Sequence, residues 1–109
     1  MPTTYKVLAQ SAPSATTATD IYTVPSATAT IVSSIVVANR ATTAASYRIA
    51  VRPNGATLAN QHYLAYDVNV AGGDSTTLTL GITMDAADVV TVYASTANLS
   101  FNIFGSEIA

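Results

Sequence analysis

The 109-residue sequence contains no cysteine and no tryptophan, and charged side chains make up only 9% of it. Without cysteine there can be no disulfide, no thiolate metal site and no cysteine nucleophile. Four Lys+Arg against six Asp+Glu give a net charge of −2, so the basic footprint of a nucleic-acid binder is missing. The longest aliphatic run, Ile35–Ala38, is far short of the roughly 20 residues of a membrane-spanning helix. Met1–Thr4 precedes no long apolar stretch, which predicts no secretory leader. Phosphate-loop, dinucleotide and nucleophile-elbow patterns do not occur.

Ala, Thr and Ser fill roughly four positions in ten. Thr, Val, Ile and Tyr favour a pleated, half-buried sheet, and long charged helix-formers are scarce. A free monomer normally keeps a charged skin for solubility. A surface of Thr, Ser and Ala suits a subunit packed against others.

Period-two alternation recurs along the chain, with turn residues between the runs. Tyr5, Val7 and Ala9 mark a first strand, followed by a Ser/Ala/Thr loop over Ser11–Thr19. Ile21–Val24 is a second strand, stopped by Pro25. In Thr28–Asn39, Ile31, Ser33, Ile35 and Val37 share one face and Val32, Ser34, Val36 and Ala38 the other, predicting a central strand covered on both sides. Tyr47, Ile49 and Val51 alternate with Arg48, Ala50 and Arg52, and Pro53-Asn54-Gly55 then turns the chain. His62, Leu64, Tyr66 and Val68 form one face of the next strand, opposite Tyr63, Ala65, Asp67 and Asn69. Ala71–Asp74 is a turn and Thr76–Leu80 a strand. Gly81–Asp88 is a connection with room for one helical turn, and Val89–Ala94 and Leu99–Phe104 complete the set. About eight short strands in one domain over residues 1–109 predict an all-β, antiparallel sandwich of jelly-roll type. Residues 1–19 form its N-terminal strand and loop, with Met1–Ala9 able to act as a partner-contacting arm by strand addition.

Chemistry-bearing residues are few. His62 is the only histidine, and its strand context favours a hydrogen-bonded or solvent-facing role over catalysis. Asp85 and Asp88 fit turn capping better than a hard-cation site, which needs more clustered oxygens. Glycan hydrolysis needs two facing carboxylates, and no Asp or Glu pair recommends itself. Arg48 and Arg52 share a strand face and can pair with Asp67 on a neighbouring strand or with an acid on another subunit. Arg48, Arg52, Tyr47, Tyr63 and Asp67 are therefore the candidate subunit-contact residues. No catalytic, metal or cofactor site is expected.

Several runs resemble a family of small virion structural proteins of tailed bacteriophages, well represented among marine and cyanobacterial phages. They are Tyr5–Pro25, IVSSIVVANR (Ile31–Arg40), YRIAVRPNGA (Tyr47–Ala56), NQHYLAYDV (Asn60–Val68), Leu78–Ser95 and NLSFNIFGSEI (Asn98–Ile108), nearly the whole chain. The resemblance implies a non-enzymatic virion component made in the host cytoplasm. A small β domain with no long hairpin for a tail tube suits a capsid decoration (cement) protein on the capsid surface. By resemblance of role, binding to the major capsid protein as a homotrimer at local three-fold points is expected. The alternative is a tail, neck or fibre-associated adhesion module whose Tyr and Asn side chains bind host glycans. Neither reading involves nucleic acid, a membrane or a cofactor.

Overall fold

A computed structural model describes residues 2–109. Among them are nine strands: β1 (Thr3–Ser11), β2 (Thr19–Thr23), β3 (Ala29–Asn39), β4 (Ala45–Arg52), β5 (Tyr63–Val70), β6 (Ser75–Leu78), β7 (Ile82–Met84), β8 (Val89–Ala94) and β9 (Leu99–Ile108). They form two antiparallel sheets, so the chain is an all-β sandwich. In the first sheet the order is β1-β9-β3, and β6 and β7 share the far edge of β3. In the second sheet the order is β2-β8-β4-β5.

The core lies between the sheets and follows the period-two pattern. Val32, Ile35, Val37, Leu99, Phe101 and Ile103 project from the first sheet. Tyr47, Ile49, Val90, Val92 and Ala94 meet them from the second. Tyr47 and Phe101 touch edge to face across the core, with centroids 6.2 Å apart. At one end the sheets are joined by polar groups. The Tyr22 hydroxyl of β2 donates to Glu107 Oε2 and contacts Thr30 Oγ1 at 2.9 Å, and Lys6 Nζ donates to Glu107 Oε1 at 3.0 Å.

Several expectations are corrected, the first by a β-bulge, where an extra residue on one strand shifts the faces. The bulge at Ser33 separates Ile31 from Ile35 and Val37, which point inward while Ile31 points outward. β3 is central, but its outer face is not covered: Ile31 remains 38% exposed. β7 lies in the stretch expected to be a connection, and β9 runs four residues past Phe104 to Ile108. The expected helical turn at Asp85–Asp88 is a tight turn with Ala87 at a φ of 70°. His62 precedes β5 in a 3-10 turn, where its Nδ1 accepts the Ala59 N–H at 3.0 Å. Thr3–Ser11 pairs with β9 as an edge strand of the first sheet; Met1 lies outside the described residues.

Candidate functional site

The two outer sheet faces differ in chemistry. On the first sheet, pairing aligns Tyr5, Ser106, Ile31 and Thr83 in one row. Val7, Phe104 and Ser34 form a second row, and Gln10, Asn102, Val36 and Thr77 a third. None of these residues is Lys, Arg, His, Asp or Glu. Tyr5 is 83% exposed and Val7 48%, so apolar groups lie open on this face. Lys6 and Glu107 alternate with the outward residues and turn to the inner side, where they pair with each other.

The outer face of the second sheet gathers the arginines and tyrosines. β4 turns Tyr47 and Ile49 inward, which places Arg48 outside. Its partner on β8 in the pairing register is Tyr93. On β5, Ala65 pairs with Ile49 and Val68 with Tyr47, so Tyr66 and Asp67 together oppose Arg48. Asp67 accommodates this bulge with a φ of 52°, a left-handed conformation that Asp tolerates better than most residues. The Arg48 guanidinium therefore lies over the Tyr66 ring at 4.2 Å and the Tyr93 ring at 4.3 Å. Its Nε donates to Asp67 Oδ1 at 2.7 Å. That bond to the carboxylate is the largest factor raising the Arg48 pKa further above its already high ordinary value. Tyr63 meets Tyr66 edge to face at 4.9 Å.

Arg52 works separately on the same face. Its Nη2 donates to Asp20 Oδ2 at 2.8 Å and its Nε to Thr91 Oγ1 at 3.0 Å, while the Thr91 hydroxyl donates to Asp20 Oδ1 at 2.8 Å. Its Nη1 also donates to the carbonyls of Gly55 and Ala56. Arg52 thus ties β2, β4 and β8 to the turn after β4.

Of the five candidate contact residues, Arg48, Asp67 and Tyr63 come together, and Arg52 is engaged within the chain. Tyr47 is a correction: it is fully buried, because it shares the inward face of β4 with Ile49, and its side chain does not reach the surface of the chain. Tyr66 and Tyr93 also belong to the cluster, which the sequence pattern did not single out. The period of β4 and β8 carries a signal for Tyr93, whereas Tyr66 reaches Arg48 only through the bulge.

The turn aspartates are occupied by backbone. Asp88 Oδ1 accepts from Asn54 N–H and Oδ2 from Asp85 N–H, and Asp85 Oδ1 accepts from Ala86 N–H. Among the described residues, no three His, Asp or Glu side chains cluster as a metal site. No helix among them is long and apolar enough to cross a membrane. Comparisons with protein-family models, curated proteins and solved structures return no match.

Proposed function

We propose that this chain is a non-enzymatic structural subunit that works by docking, and that its place is the surface of a tailed-phage capsid. There it would act as a decoration protein, holding neighbouring major capsid subunits together. The observation that carries the docking half is the outer face of the first sheet, which has open apolar groups and no acidic or basic side chain across the aligned rows. The assignment to a virion rests on the sequence resemblance.

The occupant argued for is the capsid shell. A sheet face of this length and strand number offers on the order of 650 Å² per partner, from the spacings of residues and strands. Covering it buries about 1,300 Å² in total, at the lower end of stable specific interfaces. A face without charge places no unpaired ion in the contact, so no desolvation penalty of that kind opposes docking. Repetition over many copies would let the added contacts oppose the outward pressure of packaged DNA without any chemistry. His62 is committed to its own turn, where its Nδ1 accepts from Ala59 N–H.

Two measurements test this reading. The native mass of the purified chain should be that of a homotrimer, and a monomer at all concentrations would count against the decoration role. Cryo-electron microscopy of particles carrying the chain should show it at three-fold junctions of the shell, with the β1-β9-β3 face toward the capsid. Density restricted to the tail or neck would overturn the capsid assignment.

A further inference from the structure

On the opposite side of the sandwich, the tyrosine cluster forms more than a stack around Arg48. Asn60, Tyr63 and Tyr66 line a depression of about 270 Å³. Tyr66 stays 55% exposed although the guanidinium covers part of its ring. Its position is fixed in advance by Arg48 on one contact and by Tyr63 on another. A ligand binding there would spend little free energy on ordering these rings.

The chemistry of the depression narrows the ligand. Two aromatic rings offer apolar surface, and the exposed Asn60 carries an amide donor and acceptor at the rim. The nearest cation, Arg48, is already neutralised by Asp67, so phosphate and carboxylate groups find no free positive partner. The scarcity of basic residues argues equally against single-stranded nucleic acid, which needs a positive groove beside its stacking rings. A neutral, polyhydroxylated ring with an apolar face fits what remains. The volume lies just under the usual range for small-molecule sites, about 300–1,000 Å³, which suits one or two sugar rings. Stabilisation of the sheet accounts for Arg48 between its rings, but it leaves the exposed Tyr66 and the amide-rimmed depression unexplained.

We propose that Asn60, Tyr63 and Tyr66 form a binding site for a neutral saccharide. The site lies on the sheet face opposite the proposed docking surface and does not depend on the docking assignment. A subunit seated by its first sheet would present this site outward.

The test is an NMR titration of the whole isotope-labelled chain with glucose, galactose, N-acetylglucosamine and lactose, and separately with glucuronic acid and sialic acid. The expected result is millimolar binding of at least one neutral sugar, with shifts centred on residues 60–66 and weaker binding of the acidic sugars. Tyr66→Ala should weaken binding by about tenfold, as truncation of an anchoring aromatic does. Asn60→Ala changes an exposed residue and serves as the second variant should Tyr66→Ala fail to fold. Ile31→Lys, on the other sheet, should leave binding unchanged. Absence of shifts with every neutral sugar would overturn the proposal, as would unchanged binding in both site variants or tighter binding of the acidic sugars. Concentration-dependent shifts at 60–66 without sugar would instead identify the cluster as a contact between copies and also overturn it. No capsid shell enters this experiment, so its failure is separable from failure of the docking reading.

Discussion

Arg48 on β4 faces two consecutive residues of β5, and its shortest bond runs to the second, with Nε donating to Asp67 Oδ1 at 2.7 Å. In an unbroken strand Tyr66 and Asp67 would point to opposite faces. The bulge turns both onto the arginine, so one guanidinium receives a ring and a carboxylate from the same strand.

This geometry predicts an order of effects. Arg48→Lys keeps the charge but loses the planar fork and the flat stacking surface, so it should lower the thermal midpoint. Arg48→Ala should lower it further. Asp67→Asn, which retains tolerance of the positive φ, should do less harm than Asp67→Ala. Thermal unfolding by circular dichroism checks the order. An Arg48→Lys variant as stable as the parent would show that stacking and the Nε bond to Asp67 do not matter here.

Tyr47 gives a second prediction. Its hydroxyl is buried and has no hydrogen-bond partner. Burial raises its pKa, since the phenolate would be still costlier to hide than the phenol. Removing an unpaired buried polar group relieves a desolvation penalty, so Tyr47→Phe should stabilise the chain by about 1 kcal/mol. Tyr47→Ala, by contrast, should destabilise it by about 3–5 kcal/mol through the cavity it leaves. Urea denaturation measures both. A clear loss of stability in Tyr47→Phe would reveal a partner for the hydroxyl.

The polar link between the sheets makes stability depend on pH at both extremes. Hydrogen bonds from Tyr22 and then Lys6 hold the Glu107 carboxyl below its ordinary value of 4.5. The folded pKa is depressed, so this stabilisation is complete above the unfolded value and lost as pH falls through the folded one. Burial, followed by the bond to Glu107, pushes Tyr22 up to about 12. Here the folded pKa is raised, so the contribution is present below the ordinary value of 10.0 and lost as pH rises toward about 12. Glu107→Gln should cost about 1 kcal/mol at neutral pH and flatten the loss of stability in acid. Denaturation midpoints collected across pH, for the parent and the variant, test this. Parallel acid limbs in the two would contradict it.

Much of the fold was legible because local alternation and turn chemistry agree. The runs around Ile35, Tyr47 and Val90 place their core residues on one face, and Pro53-Asn54-Gly55 and Ala71–Asp74 mark their turns. The grouping of Tyr47 with Ile49 and Val51 already implied its burial. Its hydroxyl suggested a surface role, but the whole residue is enclosed. The bulges at Ser33 and Asp67 were not legible, because they are fixed by cross-strand pairing and leave no mark in the period. β7 was missed because three residues between Gly81 and Asp85 are too few to show alternation. The charge-free face could be assembled only once β1, β9, β3 and β7 were in register.

Gly105 tests how closely β3 and β9 approach. A Cβ at this position would come within 2.1 Å of the Ile31 carbonyl oxygen, a backbone atom that cannot swing aside. Gly105→Ala should therefore destabilise the chain by about 1–3 kcal/mol through overpacking. Chemical denaturation gives the value directly, and a neutral effect would mean that the strands separate at little cost.

The docking claim is tested most directly by placing one charge on the face it relies on. Ile31→Lys adds an ammonium to the outer side of β3 without entering the core. Its occupancy on purified phage shells should be compared with that of the parent chain, with circular dichroism confirming that both are folded. The account predicts a folded variant that no longer decorates the shell, while the parent saturates it. A folded Ile31→Lys that binds as fully as the parent would contradict the account.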